Sequence, residues 1–139
     1  LENFYGRNDG QFISNMAKKI KEKEKEIDLT LGIQKRDFIH YTDVVKAYLV
    51  IISKLDQFGD KFTEIEIGSG KSYSIRDVIE RIMDLSENTS TQLNWGALSF
   101  RENEVMDSSA NLSKICSLGW TPLIDLNSGI KLILNNQKK

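Results

Sequence analysis

Two arginines of the chain occupy segments in which a guanidinium group could bind phosphate. Arg36 opens residues 36–40, whose apolar side chains predict a short buried strand that would hold the arginine in place. Arg101 is followed three residues later by Glu104, which could accept hydrogen bonds from a ribose diol if the segment is extended or turns. A guanidinium can donate two parallel hydrogen bonds to a diphosphate. Taken alone, however, each arginine is more simply explained by a surface ion pair or a solvated charged loop.

A glycine-rich segment, residues 68–72, lies between a predicted strand and a predicted helix, where a phosphate-binding loop would lie. Its sequence Gly-Ser-Gly-Lys-Ser matches only the end of the P-loop motif, because Ile65 stands where the first glycine of that motif belongs. Tyr73 stands where the third glycine of the dinucleotide-binding fingerprint belongs. The segment therefore predicts a tight strand-to-helix turn, with glycines that adopt positive φ.

Two ionisable residues of the segment that Arg36 opens each allow two interpretations. His40, the only histidine, is a candidate acid or base by type. Its position between Ile39 and Tyr41 on a predicted strand favours a hydrogen-bonded structural role instead. Asp37 could either hold the neighbouring arginine or cap a turn, and the sequence leaves both possibilities open.

Composition argues against several other classes of protein. The formal net charge of -1 gives no reason to expect binding to nucleic acid or to an anionic membrane. Cys116 is the only cysteine, so neither an internal disulfide nor a Cys/His metal cluster can be built, and no metal site is expected. The longest apolar run, residues 48–52, is far shorter than the ~20 residues of a membrane span. These features fit a reduced, cytoplasmic location.

Hydrophobic periodicity predicts strands that alternate with helices, which is typical of an α/β fold. The predicted strands are residues 3–5, 28–31, 38–41, 62–67 and 93–98. The predicted helices are residues 12–23, a helix capped by Asp43 that runs to Leu55, one capped by Ser74 that runs to Met83, a short one over residues 112–116 ended by Gly119, and residues 126–134. The sequence begins at Leu1 with nothing before its first strand, so we expect a fragment of a longer protein.

Taken in order, four groups of residues resemble the extended short-chain dehydrogenase/reductase family, in its NAD-dependent epimerase/dehydratase branch. They are Asn3-x-Tyr5-Gly6, Leu31-Gly32-x-x-x-Arg36-Asp37-Phe38-Ile39-His40-x-x-Asp43-Val44-Val45-x-Ala47, Ile67-Gly68-Ser69-Gly70-x-x-x-Ser74-Ile75-x-Asp77-Val78-Ile79 and Leu118-Gly119-Trp120-x-Pro122. Their order and spacing extend over essentially the whole chain. Within the family, residues 95–98 followed by residues 101–106 look most like deoxysugar enzymes of the CDP-abequose/paratose-synthase kind.

The resemblance implies an architecture. Residues 1–139 would be the C-terminal, substrate-binding part of an NAD(P)-binding Rossmann-like fold, with the late strands of its sheet and a small α/β substrate lobe. The N-terminal Rossmann half would be absent from this chain. The whole parent protein would be a cytoplasmic homodimer that binds a nucleotide-diphosphate sugar.

The resemblance also implies an activity. Members of the family are sugar-nucleotide 4-epimerases, 4,6-dehydratases or ketoreductases, and they share hydride transfer with NAD or NADP. Their catalytic Tyr-x-x-x-Lys pair has no match here, because no tyrosine of this chain is followed four residues later by lysine. We therefore expect no catalytic residue in this chain and no cofactor bound to it alone.

Four residues match the family's diphosphate-binding positions. Asn3 matches an asparagine that binds the substrate diphosphate. Gln11 or Phe12, at the start of the following helix, matches a position where the diphosphate can meet main-chain N–H groups. Arg36 and Arg101 match two phosphate-binding arginines. The chain departs from the family at Arg7, where a proline usually follows the Tyr-Gly pair.

Two further residues match positions beside the nucleoside. Leu31 falls where the family's strand lies against the nucleotide base, and Glu104 matches an acidic residue near the ribose. Two functions of other classes stay open beside the enzyme: a non-catalytic module that retains only nucleotide-sugar binding, and an interaction domain whose arginines are merely ion-paired.

Overall fold

The computed structural model of the chain describes residues 1–6, 10–59 and 62–136, and within them it confirms the predicted α/β class. The strands are β1 (Asn3–Tyr5), β2 (Glu26–Leu29), β3 (Lys35–His40), β4 (Ser72–Ser74) and β5 (Gln92–Trp95). The helices are α1 (Phe12–Lys21), α2 (Tyr41–Ser53), α3 (Ile75–Ser86), α4 (Ser113–Ser117) and α5 (Leu126–Asn136), and a 3-10 turn spans Leu55–Gln57. No helix in these ranges is long and apolar enough to cross a membrane.

The strands form two small sheets. In the first, β3 lies between β1, to which it is parallel, and β4, to which it is antiparallel. Asn3 lies opposite Phe38, and Arg36 lies opposite Tyr73. The second sheet is a parallel pair of β2 and β5, in which Ile27 lies opposite Leu93. Since β1 and β3 are parallel, the starts of both strands lie at the same edge of their sheet.

Three helices enclose the main core. α1 packs against α3 and α5, and all three present one apolar stripe to the sheets, as helical periodicity requires. The fully buried side chains of these stripes are Ile13, Ala17, Ile20, Val78, Ile79, Ile82 and Ile130. A second cluster, between β3, α2 and α4, contains Ile39, Val44, Ala47, Ile67, Ile115 and Trp120.

α2 also carries apolar side chains on its other side. Val45, Tyr48, Leu49 and Ile52 follow one another at helical spacing and are 48–61% exposed. We call these four residues the outer face of α2. A helix that is apolar on both sides is typical of an element with a further covering layer.

Several predicted helix ends are confirmed. The Ser74 hydroxyl accepts a hydrogen bond from the Asp77 N–H at 3.0 Å and so caps α3. Gly119, with φ of +90°, follows the end of α4. α1 ends two residues before the prediction, because the backbone reaches the left-handed region at Lys23.

The predicted cap of α2 is wrong. His40, not Asp43, is the N-cap residue, and its side chain accepts from the Thr42 N–H at 3.4 Å. The Asp43 carboxylate lies in the first turn and is fully buried. It accepts hydrogen bonds from the N–H groups of Leu123 and Ile124 at 2.9 and 2.8 Å. Asp43 therefore ties a distant segment to α2 instead of closing its own helix.

The strand predicted over residues 62–67 is also wrong. The segment has no strand structure, although the Ile67 carbonyl accepts one hydrogen bond from the Glu2 N–H at 2.9 Å. Its alternating pattern reflects side-chain burial, since Ile65 and Ile67 pack on the second cluster while Phe62 is 93% exposed. The strand that pairs with β3 in this region is the shorter β4, which the sequence did not predict.

Candidate functional site

A cleft of about 610 Å³ opens beside α1, β2 and β3. Five of the six predicted binding residues line it, namely Asn3, Gln11, Arg36, Arg101 and Glu104. They come from four separate segments of the chain, so the fold brings them together. Their roles in binding stay predictions.

Arg36 lies at the start of β3, with its side chain 18% exposed. Its guanidinium donates to the Glu104 carboxylate, to the Val105 carbonyl and to the Lys35 carbonyl, the last at 2.7 Å. The Lys35 N–H also donates to the Met106 carbonyl at 2.8 Å, so the strand and residues 104–106 lie side by side. A guanidinium has five N–H donors, so these three acceptors leave it capable of further bonds.

A tight turn brings Arg101 and Glu104 to the same cleft. The Glu104 N–H donates to the Arg101 carbonyl at 3.2 Å, and Asn103 within the turn has φ of +60°. Asparagine tolerates this left-handed conformation better than most residues. The segment therefore forms a turn, which is one of the two conformations in which Arg101 and Glu104 could act together. Within residues 1–6, 10–59 and 62–136, the exposed Arg101 guanidinium has no ion pair or hydrogen bond.

The N-terminus of α1 meets the cleft at Gln11 and Phe12. The first intrahelical bond runs from the Asn15 N–H to the Gln11 carbonyl at 2.8 Å. Among the residues that the structure describes, no side chain caps this end, and no acidic residue lies in the first turn of the helix. The N–H groups ahead of the first bond and the positive end of the helix dipole therefore favour an anion here. Phe12 stacks on Phe38 with 6.1 Å between ring centroids, which fixes the helix end against β3.

Asn3 lies beside β3 at the edge of the cleft. Its side-chain amide donates to the main-chain carbonyl of Asp37 at 3.4 Å, a long bond that leaves the amide oxygen available. The amide therefore offers the cleft a neutral polar group next to Arg36.

Leu31 is the predicted residue that does not line the cleft, although its neighbours Leu29 and Thr30 do. Its side chain is 49% exposed and lies against the turn at Gly96, where an added Cβ would be 3.2 Å away. Its carbonyl accepts from the Arg76 guanidinium at 3.3 Å. The β2 strand ends at Leu29, two residues earlier than predicted, which moves Leu31 into the following loop.

Four polar residues of the cleft were missed from the sequence, namely Asp28, Thr30, Gln34 and Ser99. The Gln34 side-chain amide donates to the Thr30 hydroxyl at 3.1 Å, and Gln34 is only 8% exposed. Thr30 and Gln34 flank the Gly32 turn, where φ is +72°. Polar residues around a glycine are common in loops, so nothing in the sequence marked this pair as part of a site.

Asp37 caps the glycine turn, which decides between the two interpretations left open for it. Its fully buried carboxylate accepts from the N–H groups of Ser69, Gly70 and Ala110 at 2.7, 2.8 and 3.1 Å, and from the Ser69 hydroxyl at 2.6 Å. Gly68 is required by close approach, since a Cβ there would lie 2.5 Å from this carboxylate. Gly70 has the expected positive φ, +74°.

The same bonds bear on a dinucleotide cofactor. A pyrophosphate bound at a glycine-rich turn needs free main-chain N–H groups. At this turn the N–H groups of Ser69 and Gly70 are already bonded to the Asp37 carboxylate. The turn therefore does not fit NAD or NADP.

His40 has the surroundings of a structural residue. It is 4% exposed, its Nδ1 lies 2.8 Å from the Thr42 hydroxyl, and its ring packs edge-on against Tyr5. Burial lowers the pKa of His40 below its usual value, and the nearby Asp43 opposes this more weakly. The fold therefore favours neutral His40.

This lowered pKa predicts a stability change with pH. Between pH 7 and pH 5 the unfolded chain, with a histidine pKa of about 6.5, takes up the proton first, so stability falls as the pH falls through that value. Because the chain has one histidine, His40→Asn, which keeps an N-cap side chain, should flatten this slope. Urea melts of both proteins at pH 7, 6 and 5 measure the effect, and equal slopes would refute it.

The sequence model for "NAD dependent epimerase/dehydratase family" matches residues 1–68. Two curated relatives extend the match over nearly the whole chain. CDP-abequose synthase of Salmonella muenchen is 39% identical over 137 residues, covering 97% of this chain and 45% of the relative. CDP-abequose synthase of Salmonella typhimurium is 34% identical, covering 96% of this chain and 46% of the relative. The chain belongs to the NAD-dependent epimerase/dehydratase family.

Solved structures share the fold of this family member. GDP-mannoheptose C4 reductase from Campylobacter jejuni, with NADP bound, superposes with a TM-score of 0.81 at 24% identity, covering 99% of this chain and 48% of that one. UDP-glucose 4-epimerase from Thermotoga maritima, with UDP-glucose, gives 0.79 at 21% identity, covering 99% and 44%. The chain thus spans about half the length of the relatives and structures that it matches.

Proposed function

We propose that this chain is the nucleotide-sugar-binding half of an NAD(P)-dependent sugar-nucleotide epimerase, dehydratase or reductase. The observation that carries the proposal is the convergence of Arg36, Arg101 and the N-terminus of α1 on one cleft. These groups are distant in the sequence. Family membership supports the substrate class, and the cleft offers the groups that a diphosphate requires.

The diphosphate would lie between the two arginines. Each guanidinium supplies a positive charge and directed N–H donors, and charge-assisted bonds of this kind are stronger than neutral ones. The N–H groups at the start of α1 and the Asn3 amide would complete the set. Binding the diphosphate in this way would fix the position of the attached sugar, which assists a reaction at a distant carbon by holding its geometry.

The nucleoside would occupy the end of the cleft near β2. Glu104 would accept hydrogen bonds from the ribose hydroxyl groups, and Thr30 and Gln34 offer polar contacts close by. Leu31 stays a candidate for contact with the base. This would require its loop to move toward the nucleotide, because its side chain does not line the cleft.

The remaining functions would belong to another part of the parent protein. The catalytic tyrosine and lysine and the site for NAD or NADP would lie in an N-terminal Rossmann half, and this chain alone would be inactive. The outer face of α2 supports this, because it is an apolar surface suited to a covering layer. A cytoplasmic, homodimeric parent remains part of the proposal on the strength of the family resemblance.

An interaction domain is the second candidate function. The ion pair between Arg36 and Glu104 is also what an interaction domain with purely structural arginines would contain. Binding measurements separate the two, because only the first candidate requires a phosphate ligand.

Calorimetric titration with CDP-, dTDP-, UDP- and GDP-sugars tests the proposal. At least one should bind, and Arg36→Ala and Arg101→Ala should each weaken that binding by about 1.5–3 kcal/mol, or roughly 10- to 150-fold. Arg81→Ala is the matched control, since Arg81 pairs with Asp77 on α3 and does not line this cleft. Unchanged affinity in both cleft variants would remove the basis of the proposal.

NAD and NADP serve as negative probes in the same experiment. The glycine turn does not fit either cofactor, so no binding signal is expected from the chain alone. Tight binding of either cofactor would contradict the division of functions between the two halves.

A further inference from the structure

The two arginines of the cleft differ in their contacts. The Arg36 guanidinium is bound by the Glu104 carboxylate and the Val105 carbonyl, and both members of the ion pair are mostly buried, with 17–18% of each side chain exposed. Arg101 is exposed and has no such partner within residues 1–6, 10–59 and 62–136. A ligand can therefore reach Arg101 directly, whereas Arg36 is held by an anion of the protein.

Glu104 holds Arg36 through the chemistry that a phosphate would use. A carboxylate and a phosphate both present anionic oxygens that accept charge-assisted bonds from a guanidinium. An incoming diphosphate that binds both arginines must compete with this carboxylate for the same N–H donors. It would also bring negative charge next to Glu104, which is unfavourable at short range.

We propose that Glu104 is a built-in competitor that makes the cleft select nucleoside diphosphates over simple phosphate anions. The inference rests on the proposed function. A ligand that displaces the carboxylate from Arg36 leaves it partly buried without a partner, which is costly. A ribonucleoside diphosphate carries hydroxyl donors that can bind the displaced carboxylate, whereas pyrophosphate carries none.

The turn at residues 101–104 limits how far Glu104 must move when a diphosphate takes its place on Arg36. The Glu104 N–H is bonded to the Arg101 carbonyl, so the backbone of the residue stays beside the second arginine. Only the side chain has to rotate away from Arg36. The displaced carboxylate would then lie within the same cleft, which Thr30 and Gln34 also line.

The test compares Glu104→Gln with the unaltered 139-residue chain, using inorganic pyrophosphate and, separately, CDP, UDP and GDP. Removing the competing charge should tighten pyrophosphate binding by about tenfold, the scale of one charge-assisted hydrogen bond. Binding of the best ribonucleoside diphosphate should tighten less or weaken, because the ribose loses its acceptor. Circular dichroism melts establish that the variant is folded.

Glu102→Gln is the matched control. Glu102 lies in the same turn, is exposed and does not line the cleft, so its substitution changes the net charge equally without touching the ion pair. It should change pyrophosphate affinity by less than about twofold, as expected for a solvent-screened charge. An equal gain in both variants would show a general charge effect and overturn the inference.

Other outcomes distinguish the inference from the function on which it rests. Pyrophosphate affinity that is unchanged, reduced or undetectable in Glu104→Gln overturns the inference. Sugar-nucleotide binding by the unaltered chain then shows that the proposed function still holds. If the unaltered chain binds no sugar nucleotide either, both proposals fall.

Discussion

Asp37→Ala is expected to lower the free energy of unfolding by about 3–4 kcal/mol. The substitution would leave the N–H groups of Ser69, Gly70 and Ala110 without their acceptor. An unsatisfied buried donor costs about 1–3 kcal/mol, and bonds to a charged acceptor lie at the stronger end of the range. Because these donors belong to two segments outside β3, the loss would loosen the glycine turn and the loop around Ala110 together.

Urea denaturation followed by circular dichroism measures this change. Asp84→Ala is a suitable control, since Asp84 is exposed on α3 and its removal should change stability by less than about 0.5 kcal/mol. Asp37→Asn should also destabilise the chain, because the NH2 group of the asparagine is a donor and would face the main-chain N–H donors that now bind the carboxylate. A loss below about 1 kcal/mol for Asp37→Ala would show that the carboxylate does not hold these segments together.

Gly129→Ala is expected to destabilise the chain by about 3 kcal/mol, although alanine is the better helix former by about 1 kcal/mol. Gly129 lies inside α5, directly over the ring of the buried Tyr5. An added Cβ would clash with the tyrosine hydroxyl oxygen and would lie 2.7 Å from two ring carbons. Contacts this short force the core to shift, which places the cost at the upper end of the range for overpacking.

A second substitution tests the cause. The Tyr5 hydroxyl is buried and has no hydrogen-bond partner among the described residues, so Tyr5→Phe alone should be neutral or stabilising. Combined with Gly129→Ala it removes the shortest contact and should recover part of the loss, giving a coupling of about 0.5–3 kcal/mol. Asn135→Ala, at an exposed site of α5, controls for helix propensity. Strictly additive effects would contradict a direct clash.

The helices of this fold could be predicted because their signals are local. Apolar spacing and the position of Ser74 predicted α3, and the predicted N-cap hydrogen bond of this helix is present. The predictions failed where a tertiary contact determines the local structure. Residues 62–67 alternate because Ile65 and Ile67 reach a core, while the backbone lacks a partner strand. Asp43 has the right type for a cap, but two distant N–H groups bind it instead.

The site could be predicted only through the order of motifs. No periodicity relates Arg36 to Arg101, and family resemblance alone suggested that they belong together. The cleft brings them into one place, but the resemblance did not suggest that Glu104 binds Arg36. Which acceptor an arginine selects depends on the path of the backbone at residues 101–106, and that path is set by the turn at Asn103.

The six residues of β3 serve the cleft with one face of the strand and anchor the fold with the other. Arg36 and Phe38 point toward the cleft, while Asp37 and Ile39 point to the opposite side, as the pleat of a strand requires. Ligand preference can therefore drift by substitution at one set of alternate positions without weakening the anchors at the other. Loss of a single residue from the strand would exchange the two sets, so its length is constrained far more tightly than its composition.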